Sequence, residues 1–253
     1  MAAESRHILI VGGSGGIGWA LCKALLALPD VKLIATYHRH IPSEAEQYRD
    51  IDWLPLDVSD PQQYPRLVSG LNDALSEQST ADGARLDWVV NCVGLLSING
   101  QLPEKNLKSI DPQHFAQSIQ INTLPTLLLA QHLQPLLRRS SLPRFATISA
   151  RVGSIGDNGL GGWYSYRCSK AALNMAIKNI SIEWGRLMPN SCTVALHPGT
   201  TDTPLSKPFQ TNVPAHKLFS ADKTASLLKR VLISLERANN GQFLAFDGSL
   251  IEW

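Results

Sequence analysis

Ile8-Leu-Ile-Val-Gly-Gly-Ser-Gly-Gly-Ile-Gly18 is the run of residues on which the expected fold depends. Its first four residues predict a buried strand, its glycines predict a sharp turn, and Ile17 opens a segment with apolar residues at helical spacing. A strand that passes through a glycine turn into a helix is typical of a phosphate-binding site, because the first helix N–H groups point at the turn. The simpler alternative is a tight structural turn between strand and helix.

Two glycine spacings overlap in this turn. The glycines form G-x-G-x-x-G at Gly13, Gly15 and Gly18 and G-x-x-x-G-x-G at Gly12, Gly16 and Gly18. Either spacing lets the backbone approach a pyrophosphate closely, because no side chain stands in the way. The residues expected to contact the phosphates are Gly12, Ser14, Gly15, Gly16, Ile17 and Gly18.

Outward from this run, short apolar segments alternate with helical patterns. The strand candidates cover residues 8–11, 32–36, 52–56, 88–92, 144–149, 192–196 and 242–245. The helix candidates cover residues 17–28, 61–78, 111–139, 164–185 and 221–238. Because the strands are apolar on both faces, we expect an α/β fold. The expected architecture is a single domain over residues 1–253, a Rossmann-type, doubly wound parallel sheet of about seven strands with helices on both faces.

Prolines refine two of these helices. Asp60 is the expected N-cap of the second helix, with Pro61 as its first residue. Pro125 and Pro135 interrupt the pattern over residues 111–139. That segment therefore forms either two helices or one bent helix.

Composition excludes several classes of function. The chain has 23 Lys and Arg against 21 Asp and Glu, and no block of like charge, so a nucleic-acid partner is not expected. No apolar stretch approaches the roughly 18 residues of a membrane span, and the first seven residues lack a signal-peptide pattern. The cysteines have no metal-type spacing and are expected as free thiols: Cys22, Cys92, Cys168 and Cys192. We expect a cytoplasmic protein without a metal site.

The end of the second strand indicates which dinucleotide binds. An acidic residue there would accept hydrogen bonds from the ribose 2′-OH of NAD. This sequence has Ala35-Thr-Tyr-His-Arg-His40 instead, with no acid. Arg39 is always charged and suits a 2′-phosphate, to which His38 adds, so NADP(H) is favoured over NAD(H). The alternative is an exposed basic turn with no ligand.

Tyr166 and Lys170 stand four residues apart in a predicted helix, which places them on one face. A nearby ammonium favours the phenolate and lowers the pKa of a tyrosine. The pair therefore predicts a proton donor or acceptor for a carbonyl or alcohol oxygen.

With this pair and the glycine turn, the whole chain resembles the short-chain dehydrogenase/reductase family. Within it, the chain is most similar to the branch of C-factor and Sniffer-type carbonyl reductases. That similarity rests on Ser149-Ala-Arg-Val-Gly-Ser-Ile-Gly-Asp-Asn158, Gly161-Gly-Trp-Tyr-Ser-Tyr-Arg-Cys-Ser-Lys-Ala-Ala-Leu-Asn174 and Phe246-Asp-Gly-Ser-Leu-Ile-Glu-Trp253.

The resemblance implies further roles. Asn122 matches the asparagine that supports a water-mediated proton relay to the lysine, and Lys170 also holds the cofactor ribose. Other positions match the adenine contacts, the segment beside the central sheet and the segment that orients the nicotinamide. These positions are Asp57, Val58, Asn91, Val93, Gly94, Pro198, Gly199, Thr201 and Thr203.

One departure from the family concerns the catalytic serine. The run Ile148-Ser149-Ala150 has alanine where the family has that serine. Strand alternation directs Ser149 away from the side on which residue 150 points. Ser149 is nevertheless the first candidate to polarise the carbonyl. The alternatives are Ser154, or a backbone N–H group or a water molecule.

We therefore expect an NADP(H)-dependent oxidoreductase that transfers a hydride between the nicotinamide and a carbonyl or secondary alcohol of a small substrate. Leu205, Phe209 and Val213 in a connecting segment favour an apolar substrate. Family resemblance implies a homodimer or homotetramer through the helices over residues 111–137 and 164–185. One alternative is an NADP-binding signalling or regulatory protein with little turnover. A weaker one is an epimerase or dehydratase.

Overall fold

A parallel sheet forms the centre of the fold. The computed structural model describes residues 5–76, 83–98 and 100–253. Its strands are β1 (Arg6–Val11), β2 (Val31–Tyr37), β3 (Ile51–Pro55), β4 (Trp88–Asn91), β5 (Arg144–Ile148), β6 (Cys192–His197), β7 (Thr200–Thr201), β8 (Leu218–Phe219) and β9 (Phe243–Ala245). Within that part of the chain, seven of them form one sheet in the order β3-β2-β1-β4-β5-β6-β9, and every neighbouring pair is parallel. The expected doubly wound parallel sheet is confirmed.

Helices cover both faces of this sheet. They are α1 (Gly16–Leu26), α2 (Gln63–Ala74), α3 (Pro112–Asn122), α4 (Leu124–Leu137), α5 (Tyr164–Leu187) and α6 (Ala221–Ser234). On one face, Leu21 of α1 and Leu228 of α6 pack against the sheet in one buried cluster. On the other face, Leu71, Leu133 and Leu173 bring α2, α4 and α5 into a second cluster. Strands buried on both sides explain the continuous apolar runs in the sequence.

The strand order reverses between β1 and β4. β1 pairs with β2 on one side and with β4 on the other, where Val11 lies opposite Asn91. Connections from the two strands leave toward opposite faces, which opens a crevice at their carboxyl ends. The glycine turn after Val11 lies at this crevice.

The start of α2 and the end of α6 differ from expectation. Asp60 does not cap an α-helix that begins at Pro61. Its carboxylate accepts from the N–H of Gln62 at 3.0 Å, and α2 begins at Gln63. The expected end at residue 78 lies outside the described residues. The last helix is shorter than expected, because the chain becomes extended at Leu235 after α6.

The segment over residues 111–139 forms two helices rather than one bent helix. Asp111 caps α3 by accepting from the N–H of Gln113 at 2.8 Å. The break falls at Thr123, and Pro125 lies in the first turn of α4, where its missing N–H costs no helix bond. Pro135 is accommodated inside α4. This break orients Asn122, which is described below.

The described part of the chain contains no helix long and apolar enough to cross a membrane. Its cysteines are free thiols, of which Cys22 and Cys192 are buried. Among the same residues, no group of three acidic, histidine or cysteine side chains is arranged to hold a metal ion.

Candidate active site

A cavity of about 540 Å³ opens at the carboxyl ends of the central strands. The glycine turn after β1 forms one wall, and the residues that follow β4, β5 and β6 form the others. Tyr166 and Lys170 of α5 also line it. The topology thus brings the glycine turn and the tyrosine–lysine pair, about 150 residues apart in sequence, to one cavity.

Backbone conformation or close contacts favour glycine at several positions of the turn. Gly12 has φ +74°, a conformation that other residues rarely adopt. A Cβ on Gly18 would lie 2.2 Å from the Gly12 carbonyl oxygen, and one on Gly16 would lie 2.7 Å from Thr203 Cγ2. Gly15, Gly16, Ile17 and Gly18 line the cavity, whereas Gly12 and Ser14 are not part of this lining.

The turn fits the pyrophosphate of a dinucleotide. Gly15 is the N-cap of α1, and no side chain caps this helix end. The first helix N–H groups therefore face the cavity side without a side-chain acceptor, and the helix dipole adds partial positive charge. A bare backbone with free donors is the arrangement that a pyrophosphate needs.

Thr36 anchors the turn, and sequence reasoning missed it. Its Oγ1 accepts from the Gly12 N–H at 2.9 Å. Thr36 ends the buried part of β2, and a polar residue at the end of a strand beside a glycine turn is the signal that could have identified it. A Cβ on Gly13 would lie 2.7 Å from the Cβ of Ala35, so β2 also sets how closely the turn packs.

His38 and Asp57 meet at the ends of β2 and β3, and Arg39 follows His38 in the chain. His38 Nε2 lies 3.5 Å from Asp57 Oδ2. A hydrogen bond from the Ser59 side chain is the main cause that lowers the pKa of Asp57. Arg39 is exposed and makes no ion pair with any residue that the structure describes. Val58 is half-buried, and its carbonyl accepts from the Tyr64 hydroxyl at 2.9 Å.

The segment after β4 is held by its own asparagine. Asn91 is buried; its Nδ2 donates to Thr126 Oγ1 at 3.1 Å, and its Oδ1 accepts from the Val93 N–H at 3.1 Å. Val93 and Gly94 line the cavity. A Cβ on Gly94 would lie 3.7 Å from Lys170 Nζ, so this glycine lies next to the lysine.

Tyr166 and Lys170 share the cavity-facing side of α5, as their spacing predicted. Lys170 Nζ lies 5.9 Å from the centre of the Tyr166 ring and donates to the Ile148 carbonyl at 3.0 Å. Only 1% of the surface of Lys170 is exposed. Burial lowers the pKa of Lys170 to about 8.

The expected direction of the tyrosine pKa is wrong. Lys170 was expected to lower the pKa of Tyr166, but burial raises this pKa above its ordinary value. The physical reason is that desolvation disfavours the charged forms of both groups. At neutral pH the phenol therefore keeps its proton, as a general acid requires.

Asn122 joins three elements through one side chain. Its Oδ1 accepts from the Leu95 N–H at 2.7 Å, and its Nδ2 donates to the Leu95 carbonyl at 2.8 Å and to Ser169 Oγ at 2.9 Å. Thr123, the next residue, donates to the Ser169 carbonyl at 2.8 Å. Ser169 precedes Lys170, so Asn122 holds the lysine's turn of α5 against the segment after β4. Sequence reasoning selected Asn122 but missed Ser169.

The residues considered for the missing serine have other partners. Ser149 lines the cavity, but its hydroxyl donates to Asn174 Oδ1 at 2.7 Å. Ser154 Oγ accepts from the Asp157 N–H at 3.0 Å. The N–H of Arg151 donates to His197 Nδ1 at 3.3 Å. In this geometry Ala150 leaves the cavity without the hydroxyl that the family places there.

His197 lies at the end of β6 and lines the cavity. Burial, together with the charge of Arg151, lowers the pKa of His197 to about 4. It is therefore neutral at pH 7, which agrees with a packed strand-end histidine.

The segment after β6 forms another wall of the cavity, next to the glycine turn. Gly199 has φ +75°, and a Cβ there would lie 2.9 Å from the Phe219 ring. Thr201 is buried and shares a hydrogen bond with Thr224 at 2.8 Å. The expected nicotinamide residues all line the cavity: Pro198, Gly199, Thr201 and Thr203.

Comparisons with known proteins agree with this geometry. The family model described as short chain dehydrogenase matches residues 6–214. A 1-hydroxy-2-glutathionyl-2-methyl-3-butene dehydrogenase of Rhodococcus sp. (strain AD45) is 30% identical over 181 residues, which are 72% of this chain and 74% of that protein. The C-signal protein of Myxococcus xanthus is 36% identical over 148 residues, which are 58% of this chain and 83% of that protein.

Two solved carbonyl reductases have similar structures. Carbonyl reductase Sniffer of D. melanogaster matches with a TM-score of 0.84 at 24% identity, over 98% of this chain and 100% of that chain. An NADPH-bound carbonyl reductase from chicken fatty liver matches with a TM-score of 0.84 at 26% identity, over 99% of this chain and 100% of that chain. The chain therefore belongs to the short-chain dehydrogenase/reductase family, as an oxidoreductase that resembles the C-factor and Sniffer-type carbonyl reductase branch.

Proposed function

We propose that this protein is an NADP(H)-dependent oxidoreductase that transfers a hydride between the nicotinamide and a carbonyl or secondary alcohol of a small, apolar substrate. The observation that supports this most directly is the cavity in which the glycine turn, Tyr166 and Lys170 meet. When bound, the dinucleotide supplies or accepts the hydride. The chain's own residues bind it, orient the substrate and move the proton.

Tyr166 is the proposed acid that protonates the substrate oxygen. Its raised pKa keeps the proton on the phenol at neutral pH, which suits reduction of a carbonyl. Lys170, with a pKa of about 8, carries its charge through most of the neutral range and stabilises the phenolate left after transfer. Lys170 also holds the ribose, and Asn122 keeps the lysine's helical turn in place and supports the relay water.

The cavity wall supports an apolar substrate. Leu205, Trp163 and Phe209 line it, and the rings of Trp163 and Phe209 lie 4.8 Å apart. Val213 lies outside the lining. Of the basic side chains in the lining, Arg151 is paired with Asp157 at 3.3 Å, and Lys170 donates to the Ile148 carbonyl and is assigned to the ribose and the phenolate. A carboxylate on the substrate would thus lose its hydration for little compensation.

An NADP-binding signalling protein with little turnover is the second candidate. Ala150 removes a hydroxyl that the family uses in catalysis, and the chain is similar to C-signal. Retention of both Tyr166 and Lys170 favours the enzyme.

We further propose a cytoplasmic homodimer or homotetramer. Free cysteines agree with a reducing compartment. Exposed apolar residues lie on the two helices that the family resemblance names for assembly: Leu124 and Leu127 on α4, and Met175 and Ile182 on α5.

Tyr166→Phe is expected to lower kcat by about a hundred- to ten-thousandfold, because the general acid is removed while the ring remains. NADPH affinity should stay within about twofold. NADPH oxidation with a panel of aldehydes, ketones and quinones measures kcat, and nicotinamide fluorescence measures binding. Tyr164→Phe, at the start of the same helix, is the matched control. Turnover that survives in Tyr166→Phe contradicts the proposal, and tight NADPH binding by a wild type without turnover favours the signalling protein.

Arg39→Ala is expected to weaken NADPH binding about tenfold or more and to leave NADH binding nearly unchanged, because a charged hydrogen bond to the 2′-phosphate is lost. Titration of both cofactors against the variant measures this difference. Arg138→Ala is the control, since Arg138 is exposed after α4, away from β2. Equal weakening of both cofactors would disprove the 2′-phosphate contact.

Ala150→Ser is expected to raise kcat roughly tenfold or more, because it restores a hydroxyl donor at the cavity wall. Ser149→Ala separates the two positions. If the Ser149 hydroxyl leaves Asn174 and donates to the substrate carbonyl during the reaction, Ser149→Ala should lower kcat about a hundredfold. Because that hydroxyl is bonded to Asn174, we expect Ser149→Ala to lower kcat less than tenfold. Steady-state rates at saturating NADPH decide between them.

Neutral aromatic or aliphatic carbonyls are expected to have kcat/KM values at least about tenfold above those of carboxylate-bearing analogues. Phe209→Ala should reduce the preference through KM, because it removes part of the apolar wall. Val213→Ala, in the same connecting segment but outside the lining, is the control. A preference for anionic substrates would refute the apolar assignment.

A further inference from the structure

Glu104 is a buried acid outside the machinery described above. It lies between β4 and α3, and only 2% of its surface is exposed. An acidic side chain this deeply buried is uncommon unless its oxygens are paired. Its partners lie 61 residues further along the chain, at the start of α5.

The carboxylate of Glu104 caps the helix that carries Tyr166. Its Oε2 accepts from the Ser165 N–H at 3.1 Å, and its Oε1 accepts from the Ser165 hydroxyl. The Glu104 backbone carbonyl also accepts from the Trp163 N–H. Two of these bonds come from N–H groups at the start of α5, which have no acceptor within the helix, and the third comes from the Ser165 hydroxyl.

α5 has no N-cap side chain of its own. Its N-cap residue is Trp163, which has the left-handed conformation with φ 51° and whose indole offers no acceptor. A cap normally comes from a serine, threonine or aspartate at this position. Here the acceptor comes from a distant loop, and it is charged.

Backbone packing holds the two segments together. Gly162 has φ +64°, and a Cβ there would lie 3.4 Å from the carbonyl oxygen of Lys105 and 3.7 Å from that of Glu104. The chain before α5 thus passes directly over the Glu104 loop. Any shift of that loop displaces the start of α5.

Tyr166 and Trp163 both depend on this start. Ser165 is the residue before Tyr166, and the Trp163 ring lies 6.2 Å from the Tyr166 ring and 4.8 Å from that of Phe209. We propose that Glu104 is a positioning residue for the reaction, which fixes the first turn of α5 and so sets where the Tyr166 hydroxyl meets the substrate. This inference rests on the proposed role of Tyr166 as the acid.

The charge of Glu104 strengthens the cap. Burial by itself raises the pKa of Glu104, but hydrogen bonds from the Ser165 side chain and from the backbone outweigh it, and the net pKa is lowered. The carboxylate is therefore ionised at neutral pH. A negative charge at a helix N-terminus is favourable, because the helix dipole is positive there.

Glu104→Ala and Glu104→Gln form the test, with Glu236→Ala as the matched control. Glu236 also caps a turn, the 3-10 segment Arg237–Asn239, at the opposite end of the sheet from the cavity. We expect Glu104→Ala to lower kcat about ten- to a hundredfold, because small displacements of a reacting group are costly, while the Kd for NADPH stays within about twofold. Glu104→Gln should recover most of kcat, since its amide oxygen still accepts from Ser165.

Amide hydrogen exchange supplies a readout that needs no turnover. We expect faster exchange at residues 163–166 in Glu104→Ala and unchanged exchange there in Glu236→Ala. If the wild type turns over no carbonyl, the proposed function fails, and this exchange measurement still decides whether Glu104 fixes the turn.

Two results would overturn the inference. An unchanged kcat with a lowered Tm would make Glu104 a structural cap only. A Kd for NADPH that rises in parallel with the loss of kcat would indicate general disruption. If Glu104→Ala does not fold, Ser165→Ala decides, because it removes the hydroxyl bond to Glu104. A kcat of Ser165→Ala within twofold of the wild type contradicts the proposal.

Discussion

The arrangement of the site depends on the hydrogen bonds of one buried side chain, the amide of Asn122. A buried amide must satisfy both its oxygen and its nitrogen, and Asn122 does so with Leu95 on one side and Ser169 on the other. The break between α3 and α4 places this side chain where it reaches both. The segment after β4 and the helix with Tyr166 and Lys170 are thereby held at one distance, and the glycine turn after β1 lies beside them.

Burial, rather than attraction between the pair, governs the protonation of Tyr166 and Lys170. An ammonium 5.9 Å from the phenol ring favours the phenolate, but removing both groups from water opposes each charge more strongly. The result is a neutral phenol beside a lysine whose pKa is about 8. Such a pair is prepared to donate a proton. For Glu104 the balance is reversed, because hydrogen bonds lower its pKa by more than burial raises it.

Local patterns in the sequence were sufficient for the strands, the glycine turn and the tyrosine–lysine pair. Each is encoded over fewer than about a dozen neighbouring residues, by apolar periodicity, by glycine conformation or by helical spacing. The helix over residues 111–139 was ambiguous, because two prolines allowed either a bend or a break. Its break at Thr123 agrees with the bond from that residue to Ser169, a contact across 46 residues that no local pattern contains.

The sequence by itself determined the fold class, and it singled out the glycine turn, Tyr166, Lys170 and Asn122 as a predicted site. Only the tertiary structure decided that Ser149 donates to Asn174, that burial raises the tyrosine pKa, and that Glu104 caps α5. The physical reason is the range of the interactions. Strand periodicity and turn conformation are properties of adjacent residues, whereas desolvation and hydrogen bonds across 25 or 61 residues exist only once the elements have packed together.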